Sequence, residues 1–307
     1  MVKNRYNIDR ELIKYTRVKP PRNIHLYAIV NLVLRSYKCK SDKNVKVAKK
    51  SFPGYRGEIL KGYLIEPKQY SGDIPCIMFY HGGGLLLKAS GAHYKTAKEY
   101  VKEANCKVFF PDYRLMLKHG YPVPFEDCYY AYKWILDNSK ELNIDTDKMV
   151  VAGDSVGGYL AAVVSMMLKE RDYIVPTGAL MTYPVIDYRM KTESMIKFTD
   201  TPIWDSKRNK MFWNAYLKDV DKEEMKYVSL TEEVTKDFPK AYIETAEFDC
   251  LHDEGVEFAE RLKEIGIPID YYDIKNSCHG YENAYESKIM RESIGRRIQW
   301  LHSLFAK

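Results

Sequence analysis

The segment that most constrains the fold is Gly-Asp-Ser-Val-Gly at residues 153–157, which stands between two apolar segments of different character. Residues 148–152 are typical of a short buried strand, and residues 159–168 predict a helix. Only small residues fit the flanks of so tight a turn, so we expect Ser155 to adopt a strained backbone conformation. A Gly-x-Ser-x-Gly turn between a strand and a helix places the hydroxyl at the positive end of the helix dipole. The pattern indicates acyl transfer through a covalent serine intermediate.

Length and composition fit one folded domain. The chain has 307 residues, of which 46% are hydrophobic and 29% are charged. That apolar content excludes a disordered chain, and no run approaches the roughly twenty apolar residues of a membrane-spanning helix. The nearest candidate, residues 24–34, contains His25 and Asn31 and is not followed by a small-residue cleavage site. We therefore expect a cytoplasmic protein without stable membrane association.

The cysteines and charges argue against metal and nucleic-acid binding. Six cysteines show no paired spacing, so we expect reduced thiols and no metal site. Cys250 and Cys278 each adjoin a candidate site residue, and a redox-sensitive pair is the alternative interpretation. The first fifty residues contain 14 Lys or Arg and 3 Asp or Glu, a net charge of +11. Because these charges are scattered singly, they favour a solvated surface over a nucleic-acid or anionic-lipid site.

Segments typical of strands alternate with segments typical of helices. The predicted strands are residues 44–50, 57–66, 74–80, 106–110, 149–152, 179–183, 241–245 and 269–274. Further helices are predicted at residues 92–105, 126–139, 255–265 and about 283–305. This alternation indicates an α/β fold with a mostly parallel sheet flanked by helices on both sides. Between about 188 and 237 a polar, helix-like segment interrupts the pattern, as an insertion would.

A serine nucleophile needs a base within hydrogen-bonding reach, and His279 is the predicted base. Such an elbow is followed along the chain first by an acid and then by a histidine. Three of the seven histidines follow Ser155, namely His252, His279 and His302. His302 falls in the predicted terminal helix, and His252 falls in the turn that carries the candidate acids. His279 directly follows the last predicted strand, at the same edge of the sheet as the elbow.

The acid that would orient this base is predicted at the end of the preceding strand. Glu247, Asp249, Asp253 and Glu254 all lie there. Asp253 and Glu254 are typical of the first turn of a helix, where acidic side chains favour the dipole. We place the acid at Asp249, with Glu247 as the alternative. A carboxylate in this role holds the imidazole tautomer and stabilises its charged form without taking the proton.

A glycine-rich segment, His-Gly-Gly-Gly at residues 81–84, follows the strand predicted at 74–80. Glycines let bare backbone approach a substrate oxygen, and loops of this type supply oxyanion donors. The predicted donors are the amides of Gly82, Gly83 and Val156. A phosphate cradle is the alternative, but no Gly-Lys-Ser/Thr ending follows, and no helix pattern begins at Gly84.

From about residue 74 onwards the chain resembles the hormone-sensitive-lipase-like branch of the α/β-hydrolases. The resemblance rests on six short segments. They are His-Gly-Gly-Gly at residues 81–84, Asp-Tyr-Arg-Leu within 111–115, a downstream Glu-Asp within 124–127, the elbow at 153–158, an acid turn at 249–254 and His-Gly-aromatic at 279–281. The acid turn of that family favours Asp249 over Glu247.

The resemblance implies an α/β-hydrolase fold over residues 1–307, a helical cap made of residues 1 to about 44 and about 188 to 237, and no cofactor. Departures occur at Val156, where the family has alanine, at residues 85–87 and at residues 116–118. They bear on substrate preference and leave the chemistry unchanged. The candidate pocket residues are Leu85, Tyr27, Trp204, Phe212, Trp213 and Tyr216, and packing between cap and core is the alternative role of the aromatic ones.

The sequence therefore predicts a cofactor-free serine carboxylester hydrolase acting on small-molecule esters of short or medium acyl length. The alternatives are an amidase or deacetylase using the same groups, a non-catalytic ligand-binding protein, and an interfacial lipase docked through its basic N-terminal region. We expect a monomer or a homodimer.

Overall fold

One sheet of eight strands organises the protein. The computed structural model describes residues 5–17 and 20–306. The strands are β1 (Val45–Pro53), β2 (Ile59–Pro67), β3 (Ile74–Tyr80), β4 (Lys107–Pro111), β5 (Ile144–Asp154), β6 (Gly178–Thr182), β7 (Lys240–Phe248) and β8 (Ile269–Cys278). Their order in the sheet is β1-β2-β4-β3-β5-β6-β7-β8. The eight predicted strands are present, and the predicted α/β class is confirmed.

The sheet is parallel except at one edge, where β2 lies antiparallel to both β1 and β4. Parallel neighbours need crossover connections, which are usually helical. The α-helices are α1 (Arg10–Ile13), α2 (Tyr27–Leu34), α3 (Gly91–Glu103), α4 (Val123–Asp137), α5 (Ser139–Leu142), α6 (Val156–Glu170), α7 (Glu193–Lys197), α8 (Ser206–Tyr216), α9 (Leu230–Glu233), α10 (His252–Glu264) and α11 (Lys288–Phe305). α3 and α11 pack on one face of the sheet, and α4, α6 and α10 pack on the other.

Burial of both faces explains why β3 shows no polar alternation in the sequence. Ile77 and Phe79 point into the core beside α3 and α11, and Met78 and Tyr80 point into the core beside α6. A central parallel strand covered on both sides is apolar at nearly every position.

Two element boundaries differ from the prediction for local reasons. β5 begins at Ile144 because this residue already pairs with Ile74 of β3. α11 begins at Lys288, since the hydroxyl of Ser287 caps it by accepting from the Met290 amide at 3.2 Å. The apolar run at residues 24–34 is divided into a short 3-10 turn and α2, with the boundary at Tyr27.

The N-terminal segment and the insertion predicted to form the cap lie against each other. Arg208 of α8 donates from Nε and Nη2 to the carbonyl of Pro20 at 3.0 and 2.7 Å, and Arg5 donates to Asp200 at 2.6 Å. The cap itself stays a prediction, and its residues 1–4 and 18–19 lie outside the described residues. Across residues 5–17 and 20–306, no helix has both the length and the apolarity needed to cross a membrane.

The parallel strands bring the candidate site residues to one edge. Ser155 follows β5, Asp249 follows β7, and His279 follows β8, while residues 81–84 follow β3. Because the carboxyl ends of parallel strands share one edge of a sheet, residues distant in the sequence meet there.

Candidate active site

Ser155 lies in a turn too tight for a side chain at position 153 or 157. Its φ and ψ are 55° and −123°, between the end of β5 and the start of α6. A Cβ placed on Gly157 would lie 2.0 Å from the carbonyl oxygen of Tyr80, and one on Gly153 would lie 2.3 Å from the Gly157 backbone. The amide of Ser155 donates to the Thr182 carbonyl at 2.8 Å, which joins the turn to β6. The positive φ of the serine follows from these backbone contacts.

The three side chains proposed from the sequence form one hydrogen-bonded series. The Ser155 hydroxyl lies 3.0 Å from Nε2 of His279. Nδ1 of His279 lies 2.6 Å from Oδ2 of Asp249, and the other oxygen of that carboxylate accepts from the Leu251 amide at 3.1 Å. Asp249 is fully buried, and Ser155 and His279 each retain 5% of their surface. The imidazole is therefore held between a hydroxyl and a buried carboxylate.

The other carboxylates that the sequence left as candidates point elsewhere. Glu247 accepts from the Asn276 amide at 2.6 Å. Asp253 accepts from the Ser194 amide at 2.7 Å, and Glu254 accepts from the Ile186 amide at 2.7 Å. Asp253 and Glu254 lie in the first turn of α10, as predicted. Only Asp249 among these four contacts His279.

The amide of Gly82 requires a correction to the predicted oxyanion donors. It donates to Oδ1 of Asp154 at 3.0 Å, so it is not free to bind a substrate oxygen. Within the described part of the chain, the amides of Gly83, Gly84 and Val156 donate to no protein group. Gly83 and Gly84 have φ of 113° and 62°, and both line the cavity beside Ser155. Gly84 was missed, although it is the third glycine of the same motif.

Asp154 connects the glycine loop to α3. Its Oδ2 lies 3.2 Å from Nε2 of His93. Burial works to raise the pKa of Asp154, but the His93 imidazole and the Gly82 amide outweigh it, so the pKa lies below its ordinary value. Burial and the neighbouring His93 together lower the pKa of His81 to about 4. The anionic carboxylate of Asp154 thus holds the loop, and the His81 side chain at the start of the loop is neutral.

A cavity of about 390 Å³ opens beside Ser155 and His279. Its walls are mostly apolar, and they come from the N-terminal segment, the insertion and the sheet. The apolar lining includes Pro20, Pro21, Val30, Leu34, Phe79, Leu87, Leu180, Ile203 and Trp204. Trp204 donates from Nε1 to Asn209 at 3.2 Å, which holds its ring 6.1 Å from that of His279.

Trp204 is the one predicted pocket residue that lines this cavity. The other five are buried in the hydrophobic core, namely Tyr27, Leu85, Phe212, Trp213 and Tyr216. Helix α8 turns its aromatic side chains inward, where the rings of Phe212 and Trp213 lie 4.8 Å apart. Packing, the alternative role given to the aromatic residues, describes Tyr27, Phe212, Trp213 and Tyr216, and Leu85 is buried in the same core. Val30, Leu34 and Ile203 were missed because an aliphatic residue in a helix or loop does not reveal which neighbour it faces.

A buried charged cluster extends from the cavity towards α11. Arg297 donates from Nε and Nη2 to Glu244 of β7 at 3.0 and 2.5 Å, and from Nη2 to the Tyr281 hydroxyl at 2.8 Å. Glu282 lines the cavity, and no described residue bonds to its Oε2. Burial raises the pKa of Glu282 to about 7, against the opposing effect of Arg297. This cluster joins the loop that carries His279 to the sheet.

The two cysteines near the site are free thiols. Cys250 and Cys278 are both buried. Burial raises the pKa of Cys278 to about 12 and that of Cys250 well above its ordinary value. Thiolates are the reactive form of cysteine, so both side chains are in a state that resists oxidation.

The comparisons with known proteins match the geometry. A model of the alpha/beta hydrolase fold family matches residues 77–283. Esterase LipI of Mycobacterium tuberculosis is 29% identical over 211 residues, which cover 68% of this chain and 66% of LipI. Carboxylesterase NlhH of the same species is 30% identical over 215 residues, covering 69% of this chain and 67% of NlhH. The matched region thus spans about two thirds of the length of these curated relatives.

Solved structures extend the match to nearly the whole chain. The structure of a bacterial heroin esterase superposes with a TM-score of 0.87 at 25% identity, and the match covers 97% of this chain and 98% of that one. With its parallel sheet, its elbow and the family match over residues 77–283, the chain belongs to the α/β-hydrolase fold family, in its hormone-sensitive-lipase-like branch.

Proposed function

We propose that this protein hydrolyses carboxylic esters of small molecules through an acyl-enzyme on Ser155. The observation that carries the proposal is the series Ser155–His279–Asp249, with hydroxyl-to-imidazole and imidazole-to-carboxylate distances of 3.0 and 2.6 Å. A hydroxyl becomes a nucleophile when an adjacent base can take its proton. The curated relatives are named as an esterase and a carboxylesterase, which supports the same reaction class.

In the proposed reaction, Oγ of Ser155 attacks the ester carbonyl carbon while Nε2 of His279 takes the hydroxyl proton. The tetrahedral intermediate collapses, the bond to the alkoxide oxygen breaks, and His279 returns its proton to the departing alcohol. Water then attacks the acyl-enzyme, again giving a proton to His279. The carboxylic acid leaves, and Ser155 regains its proton. Asp249 stabilises the imidazolium in both halves without accepting a proton.

The proposed oxyanion donors are the amides of Gly83, Gly84 and Val156. Each is without a protein acceptor among the described residues, and a developing negative oxygen is stabilised most by donors already fixed in place. The hydrogen bond from Gly82 to Asp154 fixes the loop at its first glycine. Gly82 therefore positions the loop and does not contact the substrate.

The cavity supports esters of small size. Its volume of about 390 Å³ lies near the lower end of pockets that hold small molecules, roughly 300–1,000 Å³. Its apolar walls favour an acyl chain, and the ring of Trp204 limits its length. We therefore propose short- to medium-chain acyl esters as substrates.

The test is turnover of p-nitrophenyl acetate and p-nitrophenyl butyrate by the purified protein and by Ser155→Ala. We expect release of p-nitrophenol by the wild type and loss of about 10⁴-fold or more in kcat for the variant. Ser165→Ala is the matched control, since Ser165 is also buried but donates to the Ala161 carbonyl of its own helix and does not line the cavity. Full activity in Ser155→Ala, or none in the wild type on a broad ester panel, would contradict the proposal. The matching p-nitroanilides distinguish an amidase.

A further inference from the structure

Helix α2 presents a large apolar surface to solvent. Leu26, Ile29, Leu32, Val33 and Tyr37 are exposed by 45, 61, 64, 62 and 50%. In a helix, positions three, four and seven apart share one face, so Ile29, Leu32 and Val33 lie together on one face, here called the outer face of α2. Leu26 precedes this face and Tyr37 follows it. Singly exposed apolar residues need no explanation, but a contiguous patch of this kind marks an interaction site.

The opposite side of the same helix faces the protein. Asn31 is buried, donates to the Leu86 carbonyl at 2.8 Å and accepts from the Lys88 amide at 2.8 Å. Between the buried side and the outer face, Val30 and Leu34 line the cavity beside Ser155. α2 therefore forms part of the wall between the cavity and solvent. Internal packing accounts for one side of the helix and leaves the outer face unexplained.

The basic side chains at the two ends of α2 favour an anionic partner. Arg35 and Lys38, just beyond the end of α2, are exposed and form no ion pair with any residue in the described ranges. Arg22, which precedes α2, is 61% exposed and lies 3.8 Å from Asp205. Basic side chains close to an anionic lipid surface are attracted to it.

We propose that the outer face of α2 docks on the surface of an anionic phospholipid membrane, with the helix parallel to that surface. An interfacial helix needs an apolar face and flanking cations, but not the length of a membrane-spanning segment. The shortness of residues 24–34, which favoured the expectation of no stable membrane association, does not bear on this mode of attachment. The proposal concerns attachment and does not depend on the reaction at Ser155.

The experiment is co-sedimentation of the whole protein with vesicles of phosphatidylcholine mixed with phosphatidylglycerol, and with vesicles of phosphatidylcholine alone. We expect binding to the anionic vesicles, weakened by added salt as screening predicts. Ile29→Ser/Val33→Ser should reduce that binding by about tenfold or more, because two large apolar side chains are then missing from the surface that binding would remove from water. Ile59→Ser is the matched control, since Ile59 is 67% exposed on β2, and it should bind as the wild type does.

Three results would overturn the proposal. The first is a wild type that does not sediment with anionic vesicles, and the second is a double variant that sediments as well as the wild type. The third is a vesicle-free dimer that Ile29→Ser/Val33→Ser converts to a monomer in light scattering, since a second copy of the chain would then cover the outer face. Unchanged far-UV circular dichroism and thermal unfolding of the double variant show that it has folded. A protein without esterase activity would still give an interpretable result.

Discussion

Nδ1 of His279 lies 2.6 Å from Oδ2 of Asp249, and that carboxylate is fully buried. We expect Asp249→Asn to lower kcat by about 10⁴-fold at neutral pH, because the amide no longer holds the tautomer or stabilises the imidazolium. The measurement is steady-state turnover of p-nitrophenyl butyrate. Glu247→Gln is the control and should remain within a few-fold of wild type. The reverse ranking of the two variants would assign the acid to Glu247.

Ser155 should be less favourable for stability than glycine at the same position. With φ of 55° and ψ of −123°, its backbone conformation costs about 1–3 kcal/mol for a residue with a side chain. Ser155→Gly removes that cost, but glycine also raises the conformational entropy of the unfolded chain, which lowers stability by about 0.4–1 kcal/mol. We therefore expect a net stabilisation of about 1 kcal/mol. Urea unfolding measures it, and Ser155→Ala, which keeps a Cβ, should show no such gain. A less stable glycine variant would contradict the assignment of strain.

Trp204 should limit the size of the ester. Trp204→Ala enlarges the cavity, and each methylene group newly buried contributes about 0.8 kcal/mol. We expect the ratio of octanoate to acetate turnover to rise by roughly tenfold or more. Trp213→Ala is the matched control, because Trp213 is buried in the core and does not line the cavity. Trp213→Ala should lose stability without a change in the ratio of octanoate to acetate turnover. Equal ratios for the two variants would contradict the placement of Trp204 in the substrate pocket.

Removing Arg297 should destabilise the protein severely. Burial works to raise the pKa of Glu244, but Arg297 outweighs it, so the pKa lies below its ordinary value and the carboxylate stays charged. Arg297→Met leaves that charge buried and unpaired, at a cost of about 3–5 kcal/mol. Arg296→Met should cost under about 1 kcal/mol, because Arg296 is 27% exposed and lies 4.0 Å from the same carboxylate.

The reason for the loss can be checked by removing the charge as well. Arg297→Met/Glu244→Gln should recover part of the lost free energy of unfolding, because the remaining side chain is neutral. The measurement is urea unfolding of the single and double variants at neutral pH. If the double variant is as unstable as Arg297→Met, the lost free energy of unfolding comes from packing and not from the unpaired charge.

Glu282 should make the protein less stable as the pH rises. Burial raises its pKa from 4.5 to about 7, so the unfolded chain releases this proton at a lower pH than the folded protein. Stability is therefore lost between pH 4.5 and about 7, by about 3 kcal/mol in total. Glu282→Gln has no proton to release, and its free energy of unfolding should rise relative to wild type across that window. Parallel stability curves for the two proteins would contradict the raised pKa.

The elements and the grouping of the site follow from local sequence patterns. The predicted strands at residues 149–152, 241–245 and 269–274 are followed by Ser155, Asp249 and His279. We expect these residues to share one edge, because parallel strands align their carboxyl ends. The chemistry of each residue follows from its type. None of this needed knowledge of the packing between helices.

Features set by tertiary contact could not be predicted in this way. The hydrogen bond made by the Gly82 amide depends on the position of its acceptor Asp154, which lies 72 residues further along the chain. The inward packing of Phe212 and Trp213 depends on where α8 meets the core, because an aromatic side chain fits a cavity wall and a core equally well. The exposure of Ile29 and Leu32 likewise depends on the side from which α2 approaches the protein.

Part of the cavity wall lies outside the residues that the family model matches. Residues 20, 21, 30 and 34 form part of the cavity wall, yet they precede the region that the family model matches, residues 77–283. The proposed catalytic side chains and part of the cavity wall therefore belong to separate stretches of sequence. Substitutions at these four wall positions would change the shape of the cavity and leave Ser155, Asp249 and His279 untouched.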